Sequence, residues 1–302
     1  MHATINEAIN KINTIILGKE EQVSLAFACL LAKGHLLIED LPGMGKTTLS
    51  SAIANTVGLS YSRVQFTSDL LPADITGVSV FNQQSGEFQF HKGPVFNQVI
   101  LADEINRSGP KTQSALLEAM EERQVTMDGK TYDLPSPFFV IATQNPLYQT
   151  GTFSLPESQL DRFLMRISLG YPNYEAEKKI LLNQDYQAEK VEAVITPEQL
   201  ASCQQQVTAV NVSDHVLDYI IRLGAYTRQA EFEGLALSPR ASKAVLNASK
   251  AWAFINQRDF VMHEDVQHIF AAVAEHRIKP QISTHQQESF SAKVLADVSI
   301  MH

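Results

Sequence analysis

The residues with the most specific chemistry form a short glycine loop near the start of the chain. The apolar run 36–38 is followed by Gly43, Gly45, Lys46 and Thr47, and then by a helix-like segment that extends to about residue 56. A buried strand, a tight turn and a helix in this order predict a phosphate-binding loop. There the glycines let backbone N–H groups approach an anion, the lysine binds the β- and γ-phosphates, and the threonine hydroxyl binds Mg²⁺. The N-terminal end of the helix adds positive partial charge.

The loop departs from the usual pattern at one position. The pattern G-x-x-x-x-G-K-[ST] has glycine where this chain has Asp40. A glycine turn beside a solvated lysine is therefore the alternative interpretation. The flanking strand and helix favour a nucleotide site, and we include Pro42, Met44 and Thr48 among its predicted contacts.

A second candidate site follows the apolar strand 99–102, which ends in Asp103 and Glu104. This pattern resembles a Walker B motif. Asp103 is predicted to hold Mg²⁺, directly or through water, and Glu104 is predicted to orient and polarise an attacking water. A helix cap just after a strand is the alternative. The glycine loop upstream favours the functional interpretation, because the carboxyl ends of parallel strands share one edge of a sheet.

The third candidate site is the polar segment that follows the apolar strand 138–142. It reads Thr143-Gln144-Asn145-Pro146, and the strand lies at the expected place in the order of strands. Asn145 is predicted to contact the γ-phosphate or the attacking water. The alternative is an asparagine in a turn before proline, which is common.

The whole-chain composition excludes several classes of protein. The chain has 302 residues, 44% hydrophobic and 19% charged, which is typical of a globular protein with room for two domains. The formal net charge of −9 argues against a general nucleic-acid binder. Cys29, Cys203 and nine scattered histidines give neither a disulfide framework nor metal-ligand spacing. The longest apolar run, 26–38, is interrupted by polar residues and too short to span a bilayer, and the first residues of the sequence do not show the charged-then-apolar pattern of a secretion signal. We therefore expect a cytoplasmic protein without a membrane span.

Strands and helices alternate in the first part of the chain. The predicted sheet strands are 35–39, 61–66, 98–102, 138–142 and 163–169. Three of them contain continuous apolar runs, which indicates a parallel sheet with helices on both faces. Two polar hairpins, 78–91 and 124–134, are predicted to project from this α/β domain, the second with Asp128-Gly129 in its turn.

The pattern changes after Gly170-Tyr171-Pro172, where helices replace strands. Thr196, Ser213 and Ser238 have the features of helix N-caps. We therefore predict an α/β domain over residues 1–172 and a small all-α lid domain over 173–302. Earlier in the chain, Gly34 is predicted to end the helix 20–33 at the C′ position.

Together these motifs resemble those of the MoxR-type AAA+ ATPase family. The matches span about residues 12 to 278, and their joint occurrence in this order is very specific. The family tolerates an acid at the position of Asp40. Besides the motifs above, the matching segments are 16–20 (ILGKE), 65–77 (QFTSDLLPADITG), 103–107 (DEINR), 111–122 (KTQSALLEAMEE), 159–163 (QLDRF) and 237–241 (LSPRA).

The resemblance implies roles that spacing alone does not give. Leu17 and Gly18, within the segment 16–19, would belong to the adenine pocket, and Asn145 would be sensor 1. Arg162 would be an arginine finger that reaches the nucleotide of a neighbouring subunit, and Arg240 would be sensor 2 on a lid helix, in cis or in trans. A guanidinium suits both roles because it stays charged and is a planar fork of donors.

Local ion pairs are the alternative for several arginines. Arg162 would then pair with Asp161 or Glu157, and Arg240 would be a surface residue beside a helix cap. Arg107 and Arg123 would either contact a neighbour's nucleotide or pair with acids such as Glu104 and Glu121.

The resemblance also implies a function. The protein would be an ATPase that uses ATP/ADP and Mg²⁺, assembles as a ring, with a hexamer as the family expectation, and remodels or activates a protein client. A client with a von Willebrand A domain, or insertion of a metal cofactor, would fit the family. The sequence leaves two other hypotheses for the function open. One is a nucleic-acid motor, and the other is a nucleotide-gated binding module with little turnover.

Overall fold

The computed structural model describes residues 2–145, 152–182, 192–280 and 289–300. Strands and helices alternate as far as residue 167, and the later elements in the described residues are helices. The strands are β1 (Leu36–Glu39), β2 (Tyr61–Gln65), β3 (Gly77–Asn82), β4 (Glu87–Lys92), β5 (Val99–Asp103), β6 (Gln124–Met127), β7 (Lys130–Asp133), β8 (Phe139–Gln144) and β9 (Met165–Ile167). The helices are α1 (His2–Asn13), α2 (Glu20–Leu31), α3 (Lys46–Thr56), α4 (Pro72–Thr76), α5 (Pro110–Glu122), α6 (Glu157–Leu160), α7 (Tyr174–Leu181), α8 (Pro197–Ala209), α9 (Asp214–Tyr226), α10 (Pro239–Ile255), α11 (His263–Ile278) and α12 (Phe290–Asp297).

The main sheet has five parallel strands in the order β2-β5-β8-β1-β9. This confirms the predicted parallel sheet, with strand ends shifted by up to two residues. Leu36 pairs with Ile141, and Gln65 pairs with Asp103. The register therefore brings the ends of β1, β2, β5 and β8 to the same edge, where the glycine loop begins.

Two hydrophobic clusters cover the two faces of this sheet. Val99 and Leu101 belong to the first cluster, whereas Ile100 and Ala102 belong to the second. The alternation confirms that β5 is buried on both faces, as its continuous apolar run predicted. The first cluster also contains residues of α1, α2 and the later helices, so the core is continuous past residue 172. The domain boundary near that residue stays a prediction.

Two antiparallel hairpins lie outside the main sheet, as the sequence predicted. In the first, β3 pairs with β4, and the rings of Phe81 and Phe88 meet with centroids 5.4 Å apart. In the second, β6 pairs with β7 across a turn in which Asp128 and Gly129 have positive φ angles of 52° and 75°. Phe90 stacks on Tyr132 at 4.5 Å, which joins the two hairpins.

The end of α2 differs from the expectation. Lys33, and not Gly34, adopts the left-handed conformation with a φ of 57°, and the N–H of Gly34 donates to the carbonyl of Cys29 at 3.0 Å. A Cβ on Gly34 would lie 2.3 Å from the side chain of Leu164. Close packing against Leu164 therefore explains the glycine, and the proposed backbone role was wrong.

The sequence analysis did not identify α1. Its buried face is formed by Ile5, Ala8, Ile9 and Ile12, which pack in the first cluster. These positions follow helical spacing, so the signal was present in the sequence.

Candidate functional site

The glycine loop opens onto the carboxyl edge of the sheet. Gly43 and Gly45 have φ angles of 85° and 86°, and a Cβ on either would meet no heavy atom within 4 Å. Residues with a side chain rarely adopt this conformation, so glycine suits both positions. Helix α3 begins at Lys46, directly after Gly45. Its first N–H groups have no partners within the helix and can bind an anion.

Lys46 is buried and held between two strand ends. Its Nζ donates to the backbone carbonyl of Asp40 at 2.7 Å and to Oδ1 of Asn145 at 3.2 Å. Burial lowers the pKa of Lys46, while the negative charges of Asp40, Asp103 and Glu104 act in the opposite direction. The contacts do not support the alternative of a solvated lysine beside a turn.

Asp103 lies at the end of β5, and both of its carboxylate oxygens accept hydrogen bonds. Oδ1 accepts a hydrogen bond from Oγ1 of Thr143 at 2.6 Å, and Oδ2 accepts one from Arg63 at 2.7 Å. Thr143 lies on β8 and Arg63 on β2, so the strands on either side of β5 orient this carboxylate.

Glu104 directly follows the strand in the left-handed conformation, with a φ of 56°. Its backbone N–H donates to Oγ1 of Thr143 at 2.8 Å. Its carboxylate accepts from Nδ2 of Asn145 at 2.9 Å, from Gln65 at 3.0 Å and from Arg107 at 3.0 Å. A left-handed non-glycine residue is uncommon and is found at functional sites, where surrounding contacts hold it.

These groups surround one cavity of about 620 Å³. This volume lies within the range of ligand pockets. The cavity is lined by predicted residues, namely Pro42, Gly43, Gly45, Lys46, Thr47, Thr48, Asp103, Glu104 and Asn145. Arg107 also lines the cavity. Three further lining residues had no predicted role, namely Arg63, Gln65 and Thr67.

Three predicted cofactor contacts do not line this cavity. Met44 packs, partly buried, against the first hydrophobic cluster. Gly18, which follows Leu17 in the chain, lies beside the segment that leads into α7, because a Cβ on Gly18 would lie 3.0 Å from the side chain of Asn173. The neighbouring Lys19 donates from Nζ to the carbonyl of Tyr171. The predicted role of Leu17 and Gly18 in the adenine pocket stays a prediction.

Arg162 and Arg240 line a different cavity, of about 290 Å³. Arg162 pairs with Glu121 at 3.0 Å, and Arg240 pairs with the same carboxylate at 3.2 Å. The pairing of Arg162 therefore differs from both suggested partners, Asp161 and Glu157. The cationic side chains around this cavity are Lys33, Arg123, Arg162, Arg240, Lys243 and Arg277, and the acids are Glu121 and Asp161.

The other two arginines have contacts within the chain. Arg107 pairs with Glu104 at 3.0 Å, as one alternative suggested. Arg123 donates to the carbonyls of Phe138 and Lys33, and not to an acid.

Comparisons with known proteins agree with this geometry. Residues 35–165 match the model of the ATPase family associated with various cellular activities (AAA), and residues 225–296 match the AAA lid domain. The chain is 39% identical over 285 residues to the chaperone MoxR1 of Mycobacterium tuberculosis, covering 91% of this chain and 75% of that protein. It is 30% identical over 306 residues to the protein MoxR of Paracoccus denitrificans, covering 92% and 89%. The chain belongs to the MoxR-type AAA+ ATPase family.

Two further comparisons cover nearly the whole chain. YeaC of Bacillus subtilis, described as uncharacterised, is 45% identical over 280 residues, covering 92% of this chain and 88% of YeaC. The crystal structure of a protein from Cytophaga hutchinsonii, described as a candidate ATPase, superposes with a TM-score of 0.87 at 36% identity. The match covers 99% of this chain and 95% of that one, so the two proteins share the α/β core and the helices that follow it.

The described residues lack two kinds of feature. None of the helices there is long and apolar enough to cross a membrane. Within the same residues, no group of three or more His, Cys, Asp or Glu side chains is arranged to hold a metal ion by itself.

Proposed function

We propose that this MoxR-type protein binds ATP with Mg²⁺, hydrolyses it, and uses the cycle to remodel or activate a partner protein. One observation carries the ATPase proposal: Lys46, Asp103, Glu104 and Asn145 converge on the cavity beside the glycine loop. Family membership supports it.

The donor set fits a magnesium–nucleotide pair. Thr47 and Asp103 line the same cavity and offer the oxygen ligands that Mg²⁺ prefers. Bound there, Mg²⁺ would neutralise charge on the phosphates. The open N–H groups of the glycine loop and Lys46 would hold those phosphates.

The remaining residues of the cavity would act on water and on developing charge. Glu104 would orient the attacking water and polarise its O–H bond. Asn145 already joins Lys46 to Glu104, so it would fix the distance between the phosphate-binding cation and the base. Arg107 and Gln65 would hold the Glu104 carboxylate in place.

The site would be completed by a second copy of the chain. Arg162 and Arg240 line a cavity different from the one that contains Lys46, which supports a role of both in trans. An arginine supplied by a neighbour stabilises transition-state charge and makes turnover depend on assembly. A closed ring, for which a hexamer is the family expectation, would provide such a neighbour for every site.

The proposed client is a protein. The first hairpin exposes apolar side chains, with Val78 and Val80 48% exposed, Phe81 51% and Phe88 70%. The pairing of Phe81 with Phe88 places these two rings on one face of the hairpin and Val78 and Val80 on the other. Exposed apolar side chains favour a protein contact, whereas a nucleic-acid motor would present basic residues. A relative is named as a chaperone. A client with a von Willebrand A domain and a cytoplasmic location stay predictions.

The ATPase proposal is tested by calorimetry with ADP and ATP, together with phosphate release. Lys46→Ala is expected to abolish binding or turnover, because the buried phosphate-binding cation is lost. Glu104→Gln is expected to retain ATP and to lose turnover by roughly 100-fold or more. The matched control is Glu118→Gln on the exposed face of α5, which should behave as the wild type.

Each alternative function predicts a different result. No affinity of the wild type for adenine nucleotides would overturn the proposal. Binding without phosphate release, even from the assembled protein, would favour a nucleotide-gated binding module. Stimulation of turnover by duplex DNA would favour the nucleic-acid motor. A pull-down with Glu104→Gln as an ATP-bound trap is the most direct way to identify the client.

A further inference from the structure

Asp40 stands where the usual phosphate-binding pattern has glycine, and it is buried, with 8% of its surface exposed. It does not line the nucleotide cavity. Its carboxylate instead accepts hydrogen bonds from Oγ of Ser168 at 2.9 Å, from the backbone N–H of Leu169, and from that of Gly170 at 3.3 Å. These three residues connect β9, the last strand of the sheet, with α7.

The main chain of Asp40 contacts the nucleotide site. Its carbonyl accepts the 2.7 Å hydrogen bond from Nζ of Lys46, and its N–H donates to the carbonyl of Gln144 at 3.3 Å. Asp40 therefore binds the phosphate-binding lysine through its backbone and the segment leading into α7 through its side chain. A glycine at this position would keep the first of these contacts and lose the second.

The segment that Asp40 holds is also fixed from its far side. Gly170 is left-handed, with a φ of 63°, and Tyr171 accepts a hydrogen bond from Lys19. Asn173 then caps α7 by accepting from the N–H of Ala176 at 2.9 Å. Three residues separate Gly170 from Tyr174, the first residue of α7, and two of them, Tyr171 and Asn173, are themselves hydrogen-bonded.

We propose that Asp40 is a positioning residue that couples the phosphate-binding loop to α7. The ammonium of Lys46 has three donors, so it can attract a phosphate oxygen while still bound to the Asp40 carbonyl. Attraction at the loop then moves Asp40, and with it the chain from Ser168 to Gly170. The inference rests on the proposed function, because it requires a nucleotide in the loop.

The test measures hydrogen–deuterium exchange of the amides from Ser168 to Leu181, with and without Mg²⁺ and ADP, alongside calorimetry. In the wild type, ADP is expected to slow this exchange roughly fivefold. In Asp40→Gly, which restores the usual loop residue, ADP is expected to bind with a Kd within about threefold of wild type while the slowing of exchange is lost. Phosphate release should then show a lower kcat with a nearly unchanged KM.

Glu39→Gln is the matched control. Glu39 is the adjacent carboxylate and pairs with Arg166 on β9 at 3.0 Å, but it does not bind residues 168–170. It is expected to retain the effect of ADP on exchange. Ser168→Ala is a milder variant that removes a single hydrogen bond. It should reduce the slowing of amide exchange by ADP to roughly twofold. This variant provides the test if Asp40→Gly does not fold.

The inference is overturned if Asp40→Gly binds ADP and still shows the wild-type slowing, or, should that variant not fold, if Ser168→Ala does. It is also overturned if Glu39→Gln loses the effect to the same extent. A wild type that binds no ADP would overturn the proposed function itself, and calorimetry separates this outcome from a failure of coupling alone.

Discussion

At the scale of single residues, Thr143 touches both acids of the candidate site. Its hydroxyl donates to Asp103 at 2.6 Å and accepts from the N–H of Glu104 at 2.8 Å. Supporting groups of this kind typically change metal affinity or activity by about 10- to 100-fold when removed.

We therefore expect Thr143→Val to lower kcat for phosphate release by about 10- to 100-fold, with the fold intact. Thr143→Ser, which keeps the hydroxyl, is the control and should retain most of the activity. Equal turnover of the two variants would show that the hydroxyl does not position these acids.

His35 links the sheet to a helix in the interior. Its Nδ1 accepts from the N–H of Val140 at 3.0 Å, and its Nε2 lies 3.4 Å from the carbonyl of Met120, so the contacts fit the neutral ring. Burial, with a smaller effect of Arg123, lowers the pKa of His35 from 6.5 to about 3. Between these values the unfolded chain binds a proton that the native ring does not, so stability falls as the pH falls through this window.

The free energy of unfolding of the wild type should therefore fall between pH 7.5 and pH 5. The contribution of His35 to that fall is about 2 kcal/mol, from 1.36 kcal/mol per pH unit below 6.5. His35→Asn keeps a hydrogen-bond acceptor but cannot be protonated, and denaturant unfolding should show a shallower pH dependence for it. An unchanged slope would mean that another group causes the acid sensitivity.

Some residues of the candidate site were predictable from the sequence and others were not. The glycine loop, Asp103, Glu104 and Asn145 follow strands whose apolar runs are recognisable, so their convergence was predictable. Arg63 lies within a strand, where neither spacing nor composition distinguishes a site residue from an ordinary strand residue. Thr143 belongs to the polar segment that the sequence placed after strand 138–142, but it had no predicted role. Only the register between β2, β5 and β8 shows that they reach Asp103.

At the scale of elements, the first hairpin depends on a glycine at its base. Gly77 has a φ of 106°, and a Cβ there would lie 2.3 Å from the carbonyl oxygen of His91. Gly86, at the other end of the hairpin, has a φ of 70° and no heavy atom within 4 Å of a Cβ position.

We expect Gly77→Ala to lower the free energy of unfolding by roughly 3 kcal/mol, because backbone strain and a backbone clash add together. Gly86→Ala is the matched control, with strain alone, and should cost about 1 kcal/mol. Urea unfolding measures both, and equal losses would contradict the packing described at the hairpin base.

The elements themselves were predictable to different degrees. Continuous apolar runs identified three of the sheet strands, and the Asp128-Gly129 pair identified the second hairpin. Gly34 shows the limit: a glycine after a helix is compatible both with a left-handed cap and with close packing, and only the position of Leu164 decides between them. Strand order likewise depends on tertiary packing and is not encoded in local periodicity.

At the scale of the whole molecule, the two cavities divide the predicted catalytic residues into two sets. Lys46, Glu104 and Asn145 line one cavity, and Arg162 and Arg240 line the other. The sequence predicted both sets, the arginines through family resemblance alone, but it could not show that they lie apart. Under the proposed function, each chain would offer a nucleotide site that lacks these arginines, and repeated copies in a ring would bring the two sets together.

Mixing two inactive variants tests this arrangement most directly. Arg162→Ala subunits retain an intact Glu104, whereas Glu104→Gln subunits retain an intact Arg162. If the arginine acts in trans, phosphate release by the mixture should rise well above the sum of the two variants measured separately, because some interfaces then combine both intact groups. Phosphate release no greater than that sum, in mixtures shown to co-assemble, would contradict the shared site.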